Sequence, residues 1–292
     1  MASAPPPPAA PPAEFAGALK RLHQWAQDDA PEALGRILAE TARLLGVARA
    51  GLWQWLPGRQ GLRCTVAFEQ GRVDLDPAIE VPVAMAPAYF RAIEDLMVLA
   101  AEDACADPRT CELAEDYLRP LGIGALLDVP ICEFGEIVGV LCLEHVGPPR
   151  RWTGPEQVFL ASLSGILSQR HDRLRMAANE DERRRELLFD AATGLPGRSL
   201  FVDRLSQAVA GLHEGEDLAV IALDLERLRS LAHRYGGDFA DAVMAEAAAR
   251  IGQVVPAAHL GRVADDTFAL WVVGERVQGL AVRMAGRLQR AI

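Results

Sequence analysis

Gly261-Arg262-Val263-Ala264-Asp265-Asp266-Thr267-Phe268-Ala269-Leu270 is the stretch of this sequence that decides the fold of the C-terminal part. Apolar residues flank a short cluster with two adjacent carboxylates, a pattern that predicts a strand, a tight acidic turn and a second strand. Magnesium usually binds one or two carboxylates together with substrate phosphates. Asp265 and Asp266 are therefore candidate metal ligands, although a solvated hairpin is the simpler interpretation of this stretch alone.

The residues upstream of this hairpin add a further strand that ends in a carboxylate, and several helices. Residues 218–225 form a continuous apolar run that ends in Asp224-Leu225-Glu226, which is typical of a buried strand with a carboxylate at its C-terminal end. Helical spacing is found over residues 200–209, 226–235 and 238–251. The module begins at Asp190-Ala191-Ala192-Thr193-Gly194.

This order of motifs over residues 190–292 resembles a GGDEF domain, the module of diguanylate cyclases. The resemblance implies a ferredoxin-like, nucleotide-cyclase-like fold and condensation of two GTP molecules into cyclic di-GMP. It implies metal binding at Asp224, at the carbonyl of Leu225 and at Asp266. It also implies nucleotide binding at Arg229, where the family has Lys, and at Asp241, whose partnering Asn is replaced here by Ala232.

The signature turn departs from the family, because Ala264, Asp265, Asp266, Thr267 and Phe268 stand where it has Gly-Gly-Asp/Glu-Glu-Phe. Ala264 adds a methyl group and Asp265 adds a negative charge where glycines let backbone approach the nucleotide. Thr267 replaces the second acid with a neutral hydroxyl. Because nucleotidyl transfer depends on positioning and charge stabilisation, we expect a degenerate domain whose metal and nucleotide sites are vestigial. Magnesium and GTP are expected only if this site still binds nucleotide.

Two further departures concern the product-inhibition motif and the end of the chain. The family's RxxD motif aligns with residues 255–258, Val-Pro-Ala-Ala, so feedback binding of cyclic di-GMP is not expected there. The chain ends at Ile292, where the family continues, so we expect a domain that lacks its last elements, with the 218–225 strand as an apolar edge. A phosphodiesterase domain of the EAL type is a common neighbour if a longer parent continues.

The N-terminal half predicts an α+β domain built on an antiparallel sheet. Residues 1–14 are rich in Ala and Pro and predict a disordered leader. Helical patterns follow near residues 15–25, 34–45, 88–96 and 110–118. Strand patterns cover residues 48–56, 62–68, 97–101, 125–131 and 136–145.

Five separated motifs in this half resemble a GAF sensory domain over about residues 20–170. They are Ala106-Asp107-Pro108-Arg109-Thr110, Tyr117-Leu118, Leu126-Leu127-Asp128-Val129-Pro130-Ile131, Gly139-Val140-Leu141-Cys142 and Glu144-His145-Val146-Gly147-Pro148-Pro149-Arg150. The resemblance implies either a cavity for a small molecule or a role in dimerisation alone. Candidate cavity residues are Trp53, Trp55, Asp128, Cys142 and His145.

The alternatives at these positions differ. Cys142 and His145 are three residues apart on one strand and are expected on opposite faces. His145 is either a haem or metal ligand or, more simply, a hydrogen-bonded structural residue. Trp53 and Trp55 either line a cavity or fill a core.

A long helix is predicted to begin at Gly154-Pro155-Glu156 and to connect the GAF domain (15–153) to the GGDEF domain (190–292) over residues 154–189. Leu160, Leu167, Leu174 and Leu188 share one heptad position, which favours loose pairing of two protomers. The alternative is a helix that packs on its own sheet and extends as a solvated, charged rod.

Composition excludes several function classes. The net charge of −10 over 292 residues argues against nucleic acid and anionic membranes as partners. No apolar run is long enough for a bilayer span, and no secretory signal is present. The five cysteines contain no CxxC pair and predict reduced thiols in the cytoplasm.

The sequence therefore predicts a dimeric cytoplasmic signalling protein with a GAF input and a GGDEF domain that does not make cyclic di-GMP. The alternatives are an active or weakly active diguanylate cyclase, the regulatory part of a longer EAL phosphodiesterase, and a dimerisation scaffold without a ligand.

Overall fold

The computed structural model describes residues 11–256 and 259–292. The chain divides into two compact units, residues 1–176 and 177–292. Most of the predicted leader, residues 1–10, lies outside the described residues, as does half of the 255–258 segment. No helix in the described ranges is both long and apolar enough to cross a membrane.

The first unit is an antiparallel sheet with helices on both faces, which confirms the predicted α+β class. The order of its principal strands is β3-β2-β1-β7-β6-β5, and β4 pairs with β2. The strands are β1 Arg49–Trp55, β2 Gly61–Glu69, β3 Arg72–Leu75, β4 Glu80–Pro82, β5 Leu99–Ala101, β6 Ile123–Glu133 and β7 Glu136–Val146. The helices are α1 Pro12–Trp25, α2 Pro31–Leu45, α3 Pro87–Asp95 and the single turn α4 Arg119–Leu121.

Three differences from the sequence predictions concern this unit. Helix α1 begins at Pro12, inside the predicted leader, because proline is tolerated in the first turn of a helix. The helix predicted over 110–118 is instead a 3₁₀ turn, Cys111–Leu113, followed by a π-helical turn, Ala114–Leu118. The short edge strands β3 and β4 were not predicted, since three or four residues are too few to show a period of two.

Two apolar cores lie on the two faces of this sheet. One core joins α1, α2 and the first half of the long helix α5, Gly154–Leu188. The other lies between the sheet, α3 and the 3₁₀ and π turns. Alternate residues of β7 enter the two cores: Leu141 and Leu143 face the first, and Val140 and Cys142 face the second.

Helix α5 is anchored by its N-terminal half. Thr153 and Glu156 form a reciprocal capping box, in which the Thr153 amide donates to Glu156 Oε2 over 2.7 Å. Leu160, Leu163 and Leu167 are at most 2 % exposed and pack within their own unit. The leucines in the first half of the predicted heptad repeat therefore pack within their own protomer. This corrects the expectation that two protomers pair along the whole length of α5. Residues 175–187 are exposed, as the alternative of a solvated rod predicted.

The second unit has a three-stranded antiparallel sheet of order β8-β10-β9. Its strands are β8 Asp217–Asp224, β9 Leu260–Ala264 and β10 Thr267–Gly274. Its helices are α6 Arg198–Ala210, α7 Leu228–Tyr235, α8 Gly237–Gly252 and α9 Val277–Ala291. The central strand β10 is buried. By contrast, β8 pairs with β10 alone among the described strands and alternates between exposed and half-buried residues, which corrects the prediction of a buried strand.

Candidate functional site

Asp224 and the acidic turn meet because β8 runs antiparallel to β10. The register places Thr267 opposite Asp224. The amide of Leu225 donates to the Asp266 carbonyl over 2.9 Å, so the end of β8 is tied to the turn. The side chains of Asp224 and Asp266 therefore lie at one edge of the sheet.

Thr267 lies between these two carboxylates. Its hydroxyl is 3.1 Å from Asp224 Oδ1 and 3.3 Å from Asp266 Oδ1. Arg229, in the first turn of α7, places its Nε 3.3 Å from Asp266 Oδ2. Because the Arg229 side chain is 78 % exposed, this ion pair stabilises the turn little. It nevertheless places a positive charge beside the remaining acid of the turn.

Arg262 of β9 connects the turn to the start of the module, a role that the sequence analysis missed. It donates to both carboxylate oxygens of Asp190 over 3.0 Å and to the Asp265 carbonyl over 2.6 Å. Burial alone would raise the pKa of Asp190, but hydrogen bonds from Thr193 and Arg262 outweigh it and hold this pKa below its ordinary value. The sequence signal for this role was only that Arg262 is a charged residue in an otherwise apolar strand, which does not identify its partner.

Asp241 on α8 lies apart from the carboxylate pair. Its Oδ1 is 3.9 Å from Arg262, and the side chain is 58 % exposed. The Asp265 side chain is exposed as well, and only its carbonyl is bound by Arg262. Phe268, which follows the turn, is fully buried in the core of the unit and anchors the turn to that core.

These residues fit a bound magnesium ion only in part. Within residues 11–256 and 259–292, no three His, Cys, Asp or Glu side chains are placed to hold a metal ion together. Two carboxylates suffice for magnesium where nucleotide phosphates and water supply the other ligands. Here one of the two is already paired with Arg229, and both lie against a neutral hydroxyl.

The first unit contains a separate cavity of about 30 Å³ between its sheet and α3, enough for one or two water-sized groups. Three of the five predicted residues, Trp53, Asp128 and Cys142, line it. The other polar or aromatic residues of the lining, which sequence reasoning missed, are Tyr89, Tyr117 and Glu144. Tyr89 and Tyr117 come from the helix and the π turn that cover the sheet.

Trp55 and His145 do not line this cavity. Trp55 is near the end of β1, where its ring packs on Phe90 and lies under the guanidinium of Arg59, 4.6 Å away. His145 is three residues from Cys142 and is on the opposite face of β7, as alternation requires. Burial and the charge of Arg150 lower the pKa of His145.

Two buried carboxyl groups face the cavity, and they are bonded differently. Glu144 accepts from Arg49 Nε over 2.5 Å and from the Tyr117 hydroxyl over 2.6 Å. Asp128 Oδ2 accepts from the Tyr89 hydroxyl over 2.7 Å. Burial raises the pKa of Asp128 to about 7, although the Cys142 thiol, the Tyr89 hydroxyl and the Leu143 amide lower it.

Comparison with known proteins matches each unit to a family. The family described as "GAF domain" matches residues 29–170, and the family described as "Diguanylate cyclase, GGDEF domain" matches residues 187–292. An uncharacterized signaling protein of Caulobacter vibrioides is 33 % identical over 128 residues, which cover 42 % of this chain and 16 % of that protein. Diguanylate cyclase TpbB of Pseudomonas aeruginosa is 33 % identical over 101 residues, covering 34 % and 23 %. The chain thus spans less than a quarter of either relative.

Solved structures resemble the first unit at low sequence identity. Free methionine-R-sulfoxide reductase from Neisseria meningitidis is 17 % identical, with a TM-score of 0.47, and the match covers 61 % of this chain and 99 % of that one. The GAF domain of an Acinetobacter phosphoenolpyruvate-protein phosphotransferase is 15 % identical, with a TM-score of 0.46 and coverages of 55 % and 94 %.

Proposed function

Since the chain contains a GAF domain over residues 29–170 followed by a GGDEF domain over residues 187–292, we propose that it is a signal-transduction protein of the cyclic di-GMP network. In this proposal the GAF domain is the sensory input, and its cavity beside Trp53 holds a small molecule. The GGDEF domain is a regulatory module that does not synthesise cyclic di-GMP.

The position of Thr267 carries the proposal. A neutral hydroxyl lies between Asp224 and Asp266, where the family resemblance implies a second acid of the turn. Arg229, which the family resemblance places at a phosphate, forms an ion pair with Asp266. Because nucleotidyl transfer depends on metal and cation stabilisation of developing charge, these contacts oppose catalysis. The exposed Asp265 adds a further negative charge to the turn, which would repel a polyphosphate bound close to it.

Synthesis of cyclic di-GMP is the direct test. The purified chain is incubated with GTP and magnesium, beside an active diguanylate cyclase, and the nucleotides are separated by chromatography. We expect no cyclic di-GMP from this chain. Appreciable product that disappears in Asp224→Asn would contradict the proposal, because it would come from this site.

An active or weakly active diguanylate cyclase is the second candidate function. It is favoured by one observation, that Asp224 and Asp266 are still brought together at the end of β8. Calorimetry with GTP and magnesium separates the remaining roles. Heat of binding without product supports a GTP-binding regulator, whereas no heat supports regulation through a protein partner or a scaffold role.

We further propose that the protein is a cytoplasmic homodimer, since GAF and GGDEF domains commonly dimerise and its five cysteines are free thiols. The exposed half of α5, residues 175–187, is the part of the connector that remains available for such pairing. Sedimentation of the full chain measures the oligomeric state, and a monomer at micromolar concentration would contradict this proposal.

A further inference from the structure

Asp128 is a buried acid of the GAF cavity, and one of its carboxylate oxygens, Oδ1, has no hydrogen-bond partner among the described residues. Its residue is 1 % exposed, so water does not solvate the carboxyl from outside. Among the described residues, Tyr89 hydrogen-bonds Oδ2, but no group meets normal hydrogen-bond geometry at Oδ1. The Cys142 thiol and the Leu143 amide lie close enough to the carboxyl to lower its pKa, yet neither is placed to make a normal hydrogen bond to Oδ1. Buried polar atoms are almost always hydrogen-bonded, and an unpartnered one is costly. Oδ1 is therefore an acceptor without a well-placed donor.

Glu144, the second carboxyl group of the cavity, has hydrogen-bond partners and a cation within the protein. Glu144 is paired with Arg49, which also contacts Glu69, and it accepts from the Tyr117 hydroxyl. The charge of Glu144 is therefore compensated from within the protein. Asp128 has no cation of its own, and no Lys, Arg or His belongs to the part of the cavity lining that the structure describes.

The rest of the lining suits a positive charge. Trp53 and Tyr117 meet edge to face with ring centroids 6.2 Å apart, and Tyr89 lies beside Asp128. Aromatic faces attract ammonium groups most strongly where water is excluded. A phosphate or carboxylate would find two acids and no cation here. At about 30 Å³ the cavity is also far too small for a nucleotide.

We propose that the GAF cavity binds a small N–H cation, ammonium or a small primary amine, which donates to Asp128 Oδ1 and lies against Trp53 and Tyr117. This assignment rests on the proposed sensory role of the GAF domain and names the class of its ligand. An ammonium group would donate a hydrogen bond to Asp128 Oδ1 and balance the negative charge of this carboxylate. It is also small enough for the cavity.

Binding of such a cation is coupled to the proton of Asp128. Burial raises its pKa to about 7, so the empty cavity holds the acid largely neutral at lower pH. The groups that face it are Tyr89 from α3, Tyr117 from the π turn, Cys142 and Glu144 from β7, and, behind them, Arg49 from β1 and Cys64 from β2. Burial raises the pKa of both tyrosines and of both thiols, which therefore stay protonated near neutrality. The affinity for a cation should rise about tenfold between pH 6 and pH 8 and then level off.

The test titrates ammonium chloride and methylammonium chloride into the full chain, by calorimetry and by the shift in Tm. Tetramethylammonium chloride balances the ionic strength, because it is too large for the cavity and has no N–H. Potassium chloride and sodium phosphate are the probes for a bare cation and for an anion. We expect saturable binding of an N–H cation, about tenfold tighter at pH 8 than at pH 6.

Asp128→Asn keeps the shape of the side chain and should weaken binding at least tenfold. Glu133→Gln, at the far end of the same strand, is the matched control and should bind normally. Unchanged binding in Asp128→Asn, or no saturable binding of either cation, would overturn the assignment. If Asp128→Asn does not fold, equal affinity at pH 6 and pH 8 in the unmodified chain overturns it instead. Binding of phosphate alone would refute the ligand class and leave the sensory role intact, and neither result depends on whether cyclic di-GMP is made.

Discussion

Thr267 places a neutral hydroxyl where a metal site at the acidic turn would have a charged ligand. Its hydroxyl contacts both Asp224 and Asp266 without adding charge. Thr267→Glu would place a third carboxylate beside these two. We expect this variant to lose about 1 kcal/mol of stability without divalent cations, since like charges at a partly exposed site repel at this scale. A loss of this size lowers Tm by about 4–8 °C in a domain of this length.

Magnesium should reverse this loss, because a divalent cation compensates three converging carboxylates better than two. Thermal unfolding with magnesium and with a chelator measures the effect. Thr267→Gln has the same length as Glu without the charge, so its Tm should not respond to magnesium. Equal magnesium responses of the two variants would show that Asp224, Asp266 and residue 267 do not form one site.

Asp128 should make the stability of the GAF domain dependent on pH. Its pKa is about 7 when folded and close to 4 when unfolded, so the folded state holds the proton more tightly. The resulting stabilisation is complete below about pH 4 and is lost as pH rises through 7, by about 4 kcal/mol. The difference in unfolding free energy between the unmodified chain and Asp128→Asn, from urea titrations at pH 5 and pH 8, isolates this contribution. An equal difference at both pH values would contradict it.

Some contacts of single residues could be predicted from the sequence, and others could not. Asp224 and Asp266 could be placed together, because the antiparallel register follows from the apolar runs on each side of the turn. The contact between Asp190 and Arg262 could not, since it joins residues 72 apart through side chains alone. Likewise, nothing in the spacing of Asp128 shows that Tyr89 binds one of its oxygens and leaves the other free.

At the scale of elements, long periodic segments were predicted, whereas among the short strands β5 was predicted and β3 and β4 were missed. Strands β6 and β7 and helix α5 contain enough residues for their period to appear in the sequence. Residues 111–118 show a helical pattern but form 3₁₀ and π turns, which contribute Leu113 and Tyr117 to the cavity. The part of the GAF domain that shapes the candidate site was thus the part that the sequence described least well.

Helix α5 gives a prediction with an internal control. Leu163 is fully buried in the core shared with α1 and α2, whereas Leu187, on the same helix, is 78 % exposed. Leu163→Ala should cost about 2–5 kcal/mol, because it removes apolar contacts and leaves a cavity. Leu187→Ala should change the unfolding free energy of the protomer by less than about 0.5 kcal/mol. Urea unfolding of both variants tests this, and similar losses would show that the exposed half of α5 is also packed.

The whole molecule combines a GAF domain that contains a small cavity with a GGDEF domain, and the two differ in how their acidic side chains are hydrogen-bonded and ion-paired. In the GAF domain the buried Asp128 has one oxygen, Oδ1, without a hydrogen-bond partner among the described residues. In the GGDEF domain Asp266 of the turn already contacts Thr267 and Arg229, and Asp224 contacts the same Thr267 hydroxyl. This contrast agrees with the proposal above, in which the GAF domain binds a ligand and the GGDEF domain does not catalyse synthesis.

Restoring the signature turn should therefore not restore synthesis by itself. The triple variant Ala264→Gly, Asp265→Gly and Thr267→Glu rebuilds the turn that the family resemblance implies. It leaves Ala232 without the amide that would read guanine and leaves Asp241 beside Arg262. A site that recognises a base through polar contacts loses selectivity steeply when one contact is missing. Chromatography after incubation with GTP and magnesium should show no cyclic di-GMP from the triple variant. Product that appears only after Ala232→Asn is added would identify base recognition as the missing function, whereas robust synthesis by the triple variant alone would show that the turn is the whole obstacle.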